Sequence, residues 1–285
     1  MTTATNRAQM QNKVPAVTFN FWLIKLLAVT VGETAADYMN LDLDLGLATT
    51  SWILSGLLIA ALALQFAQVK YVHWIYWVSV VLISVVGTLV TDNLVDNFGV
   101  SLEATTLFFS VVLAATFALW YASERTLSIH TIVTTRRETF YWLAVLFTFA
   151  LGTAAGDLTA EGLGFGYLEA GVIFGVIIAA ITCAYYAFSL NSILAFWLVY
   201  ILTRPLGASF GDLFAQPTEH GGLAFGTTLT SFIFLAGIAA LIPFMTTRTQ
   251  GKQERRRCPL RSHPDDGGRQ FATYRRPAST APSTE

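Results

Sequence analysis

The sequence predicts an all-α integral membrane protein. It should have eight transmembrane helices, arranged as four two-helix repeats of like orientation and nested as a duplicated 120-residue half. Three observations lead there: the composition, the lengths of the apolar runs, and a spaced motif that returns four times. Hydrophobic residues make up 54% of the 285, charged residues only 12%, and the mean hydropathy is +0.56. Soluble domains carry about 25% charged residues, so the first partner implied is a lipid bilayer.

A helix needs about 20 apolar residues to cross about 30 Å of hydrocarbon. Eight stretches qualify, roughly 16–38, 47–68, 72–93, 103–121, 138–157, 166–187, 190–212 and 224–245. A polar segment, 1–15, precedes them and lacks the short apolar core and cleavage site of a secretory signal. The first membrane half is then 16–121, holding repeats 1 and 2. A cytoplasmic linker follows at 122–137, and the second half, 138–245, holds repeats 3 and 4. The remainder, 246–285, is rich in Arg, Pro, Ser and Thr and reads as a disordered basic cytoplasmic tail.

Short links make consecutive helices antiparallel, so the loops near 40–46, 94–102, 158–165 and 213–223 share one side. They hold Asp42, Asp44, Asp96, Glu161 and Glu219 but no Lys or Arg. The other side holds Arg7, Lys13, Lys70, Arg125, Arg136, Arg137 and the nine basic residues beyond 247, 15 in all. Cytoplasmic loops collect Lys and Arg, so both termini are expected in the cytoplasm, with the chain in a cell's inner membrane.

The motif is W-x9-G-x4-D. It reads Trp22, Gly32, Asp37; then Trp77, Gly87, Asp92; then Trp142, Gly152, Asp157; and last Trp197, Gly207, Asp212. A shuffled chain of this composition would give roughly 0.02 matches, so four reflect repetition. The glycines lie 55, 65 and 55 residues apart, and first to third and second to fourth are each 120 apart. A two-helix unit duplicated twice produces that nesting. Units that each cross twice all point the same way and are related by an axis along the membrane normal. The four Asp side chains should then share one depth around one axis.

The stretches KVPAVTFNFWLIK, GETAADY and TRPLGASFGDLF, together with the repeated Trp, carry a family resemblance. From Lys13 to about Thr247 the chain resembles bacterial multipass membrane proteins built from four tandem copies of an uncharacterised repeat, domain of unknown function 347. The resemblance implies the architecture and no agreed activity.

Each motif residue has a bland and a sharp reading. Every Trp lies about five residues inside the cytoplasmic end of its helix and follows Phe21, Tyr76, Tyr141 or Phe196. An interfacial aromatic belt is the expectation, with packing between repeats as the other reading. The glycines let helices approach closely, or unwind and free carbonyls to line a cavity. Each Asp either ends its helix as a cap or contributes to a shared site, where a cation or protons must offset the gathered charge.

Lys25 and Arg204 fall well inside the apolar spans, where each costs several kcal/mol if unpaired. Direct pairing along their own helices is disfavoured, so partners from other repeats are expected. With Glu33 added, five acids face two bases, an excess of three negative charges that a divalent ion plus a proton would offset. Carboxylates and hydroxyls are hard donors suited to Mg²⁺, Mn²⁺ or Ca²⁺.

No hydrolase, zinc-protease or nucleotide-loop signature competes, so no enzyme activity and no cofactor are expected. Basic residues follow sidedness rather than a nucleic-acid surface. The expected function is a transporter or channel-like permease for a small cation, metal or proton-coupled, with Asp37, Asp92, Asp157 and Asp212 as its metal-binding or ion-binding residues. The alternatives are a proton-coupled carrier of a small organic solute held by Lys25 and Arg204, and a non-transporting scaffold or sensor. Oligomeric state is left open.

Overall fold

The computed structural model describes residues 12–43 and 45–241. The basic tail and most of the polar N-terminal segment lie outside them. Eight helices and no strand occur among the described residues: α1 Phe19–Asp37, α2 Leu47–Ala67, α3 His73–Asp92, α4 Leu102–Glu124, α5 Thr135–Asp157, α6 Tyr167–Ala187, α7 Ser192–Ala215 and α8 Thr227–Leu241. The first seven are long and apolar enough to cross a membrane; α8, as described, is a shorter apolar helix. Helices α4 and α5 each extend into the expected linker and leave only 125–134 between them.

Local chemistry sets the helix starts. The side chains of Thr18, Ser101, Thr134 and Asn191 accept hydrogen bonds from backbone N–H groups in the first turns of α1, α4, α5 and α7. Helices α2 and α6 instead begin after Gly46 (φ 73°) and Gly166 (φ 85°), in a region of backbone space that side chains disfavour.

The odd-numbered helices form a closed inner ring, in which α1 packs on α3, α3 on α5, α5 on α7, and α7 back on α1. Each even helix lies outside and packs on the next odd one: α2 on α3, α4 on α5 and α6 on α7. Helix α8 meets α1, where Ser231 and Thr34 hydroxyls are 2.7 Å apart. The apolar windows of the inner helices are 56–72% buried and those of α2, α4 and α6 only 17–22%. Trp52, Tyr186 and Phe188 on or beside the outer helices stand exposed.

The four motif glycines join the ring, and each helix stays helical through them. A methyl group at Gly32 would strike Ser84 of α3, and one at Gly87 would strike Phe149 of α5. One at Gly152 would strike Arg204 of α7, and one at Gly207 would strike Val29 of α1. In every case the residue struck lies three before the glycine of the next repeat. Backbones can approach this closely only where there is no side chain. The glycines therefore serve packing; the unwinding reading does not hold.

Candidate functional site

Because the same register recurs at all four contacts, equivalent residues of α1, α3, α5 and α7 form layers along the ring. The first layer is aromatic. Phe21 meets Trp77 (5.7 Å between ring centroids), Tyr76 meets Trp142 (5.5 Å), Tyr141 meets Trp197 (6.3 Å), and Phe196 meets Trp22 (5.6 Å). The aromatic residue before each Trp thus touches the Trp of the next repeat, and the circle closes. Tyr76 and Tyr141 hydroxyls are 2.6 Å apart at its centre. Trp77, Trp142 and Trp197 are buried and Trp22 half-buried. This corrects the interfacial-belt expectation. Depth along a helix follows from sequence counting, but the facing of a side chain depends on rotation about the axis, and here the rings turn inward.

One turn further along lies Lys25, fully buried. Its ammonium donates to the Tyr200 carbonyl (2.9 Å) and the Thr203 hydroxyl (2.5 Å) and sits 4.0 Å from the Tyr200 ring centroid. Its partners come from repeat 4, as expected, but they are neutral. Among the described residues no carboxylate pairs with it. A carbonyl, a hydroxyl and an aromatic face together replace the shell a bare ammonium loses on burial.

The layer just past the glycines carries Glu33, Thr88, Thr153 and Ala208. Arg204 projects into it from α7 and is fully buried. Its Nη2 lies 2.8 Å from Glu33 Oε2 and 2.7 Å from the Thr153 hydroxyl, and it also donates to the Thr88 hydroxyl. Its Nη1 donates to the Val29 carbonyl at 3.3 Å, and Thr88 donates to Glu33 at 3.1 Å. Arg204 thus ties all four inner helices together. Its Nε, buried, has no partner among the described residues.

Four residues further lie the motif Asp residues. Oxygens of Glu33, Asp157 and Asp212 all fall within 4.8 Å of one another, a spacing that could hold a metal ion. Among the described residues, Asp37 and Asp92 do not join this group. Gln216 reaches Asp37 at 3.4 Å. The structure therefore brings Glu33, Asp157 and Asp212 into one cluster and leaves Asp37 and Asp92 at its margin.

Of the two readings of the Asp residues, capping finds no support. After Asp37, Asp92 and Asp157 the helices run on as single π-helical turns, Tyr38–Asp42, Asn93–Asn97 and Leu158–Gly162, and none of the three makes a side-chain cap hydrogen bond. Such turns often mark functional positions within helices. Asp212 lies inside α7, which continues without one to Ala215. Beyond this layer is a cavity of about 380 Å³ lined by Ala160, Glu161, Gly166, Tyr167 and Glu219, with the Tyr167 hydroxyl donating to Glu161 at 3.1 Å.

The Repeat of Unknown Function (DUF347) matches residues 20–71, 75–126, 140–190 and 195–250, four tandem copies. The chain belongs to this family. Each of the first three DUF347 matches takes in one inner helix and the outer helix that follows, and the fourth takes in α7 and α8. No curated protein and no solved structure matches the chain.

Sequence reasoning missed Thr88, Thr153 and Thr203 as partners of the buried cations. The signal was present: Thr88 and Thr153 occupy, in repeats 2 and 3, the position Glu33 holds in repeat 1. Glu138 was missed too. It is fully buried, 2.6 Å from Lys13 Nζ and 3.1 Å from Gln65 Nε2, and it pins the segment before α1 to the start of α5.

Proposed function

We propose that this chain is a polytopic protein of a bacterial inner membrane that moves a small cation, a divalent metal being the best fit. It contains four two-helix repeats of like orientation, related by an axis along the membrane normal, and both termini are cytoplasmic. The cyclic glycine and aromatic contacts support that symmetry, and the sidedness of the basic residues supports the orientation. On this reading the Asp layer faces away from the cytoplasm and forms the entry site.

The observation that carries the proposal is the meeting of Glu33, Asp157 and Asp212 within 4.8 Å. Their three negative charges, less the one positive charge of Arg204 on Glu33, leave two, the charge of one divalent ion. Oxygen donors of this kind suit hard cations. Below the cluster the ring is filled by Arg204, Lys25 and the aromatic layer, so passage is gated rather than through an open pore. A carrier of an anionic solute bound by Lys25 and Arg204 is less well supported, because both cations are buried and already hold protein oxygens.

Purified protein in liposomes, given a panel of divalent ions and an imposed pH gradient, tests the proposal. Wild type should pass at least one ion. Asp157→Asn and Asp212→Asn should abolish flux while remaining monodisperse, whereas Asp92→Asn should retain part of it. Wild-type liposomes that carry no ion under any gradient would end the transport reading. Fully active Asp157→Asn and Asp212→Asn variants would instead remove these acids from the mechanism.

A further inference from the structure

Arg204 has a feature that helix packing does not require: its guanidinium is held as a bound ion is held. Around it stand one carboxylate oxygen (Glu33), two hydroxyls (Thr88 and Thr153) and one backbone carbonyl (Val29), supplied by α1, α3 and α5, while the cation comes from α7. At the equivalent position the other repeats have Val29, Ser84 and Phe149, so only the fourth repeat inserts a charge. The fit is also incomplete, because Nε is buried without a partner among the described residues. An unpaired buried N–H weakens the arrangement it belongs to.

We propose that Arg204 is a tethered stand-in for the transported ion. Its guanidinium occupies an inner, oxygen-lined cation station formed by Glu33, Thr88, Thr153 and the Val29 carbonyl, and a small hard cation takes that station when Arg204 withdraws. This inference rests on the cation-transport reading above and assigns the site one layer below the outer acid cluster.

Glu33 links the two stations. One of its oxygens pairs with Arg204, and a carboxylate oxygen of the same residue completes the cluster with Asp157 and Asp212. An ion arriving at the cluster therefore competes with Arg204 for Glu33. At equal distance a divalent ion attracts that carboxylate with twice the Coulomb energy of the singly charged guanidinium, whereas a monovalent ion gains nothing by the exchange. Arg204 accordingly acts as a specificity filter that admits divalent ions and rejects monovalent ones. While it stays in place, the station is plugged and the bilayer does not leak.

Chemical rescue tests the station apart from transport. Arg204→Ala vacates it, so full-length Arg204→Ala protein in detergent should unfold at a lower temperature than wild type. Free guanidinium at millimolar concentration should restore stability saturably in the variant and leave wild type unmoved. Arg204→Met, which keeps the length and fills the space, provides a second measurement. With Glu33 released, Mn²⁺ should bind about tenfold more tightly than to wild type by titration calorimetry.

Three results overturn the inference: no variant-specific rescue by guanidinium, an unchanged Mn²⁺ affinity in Arg204→Met, or variants that stay unfolded even when guanidinium is present throughout purification. Failure of rescue in a protein whose wild type carries ions removes the station alone. Wild-type liposomes that carry nothing remove the transport reading it rests on.

Discussion

Repeats 1 and 4 differ from repeats 2 and 3 in a way that separates construction from chemistry. All four keep the Trp, the Gly and the Asp, and with them the aromatic circle and the close helix contacts. The position after the glycine is not kept: it is Glu33, Thr88, Thr153 and Ala208 in turn. Three residues before the glycine the series is Val29, Ser84, Phe149 and Arg204. At these two positions the middle repeats supply only neutral side chains, while the outer two supply Glu33 and Arg204, which meet where α7 closes on α1. Fourfold repetition builds the column, and departures from it place the charges.

The largest expected effect comes from breaking the ion pair on one side. Glu33→Gln leaves the Arg204 charge buried without its counter-ion and should destabilise the protein by about 3–5 kcal/mol. The loss should appear as a lower unfolding temperature in detergent. The double variant Glu33→Met/Arg204→Met removes both charges and should recover most of that loss, since an apolar pair of similar volume is often neutral or better. A double variant no more stable than Glu33→Gln would show that the pair contributes more than mutual neutralisation.

Next in size are the glycines that all repeats share. A methyl group at Gly152 would sit 2.3 Å from Arg204 Cγ, and one at Gly207 would sit 2.4 Å from Val29 Cγ1. Gly152→Ala and Gly207→Ala should each cost about 1–3 kcal/mol by overpacking. Gly56, on outer helix α2, faces open space. Gly56→Ala should be neutral or stabilising by about 1 kcal/mol, because alanine is the better helix former. Equal losses at Gly56 and Gly152 would abolish the distinction between inner and outer helices.

The smallest effect belongs to the hydroxyls of the middle repeats. Thr153→Val deletes one hydroxyl from the shell of Arg204 and keeps the shape, at a cost of about 1 kcal/mol. A loss as large as that of Glu33→Gln would mean that the hydroxyl ring, not the carboxylate, holds the guanidinium.

Much of this was legible in the sequence. The four tandem copies, the all-helical architecture and seven of the long apolar helices follow from composition and from W-x9-G-x4-D, because length and spacing are one-dimensional properties. The burial of Trp77, Trp142 and Trp197 was not legible, since depth along a helix can be counted but rotation about it cannot. Nor was the withdrawal of Asp37 and Asp92 to the margin of the cluster: spacing makes the four acids equivalent, and Glu33, outside the motif, breaks the tie. The partner of Arg204 was within reach. Arg204 holds in repeat 4 the position that Val29 holds in repeat 1, and Glu33 lies about one turn beyond Val29, within reach of a long side chain.

The closed ring also has a consequence for how the chain is made. The hydroxyl and carbonyl that hold Lys25 come from Tyr200 and Thr203, and Tyr200 lies 175 residues later in the chain. At about 5–20 residues per second, roughly 9–35 seconds pass between synthesis of the first helix and arrival of the groups that satisfy its buried charges. Until α7 is synthesised, α1 carries Lys25 and Glu33 with neither Arg204 nor Thr203 to meet them. If the chain inserts into a membrane as proposed, α1 waits beside the insertion machinery or at the membrane surface, and the ring forms only when its last inner helix has been translated.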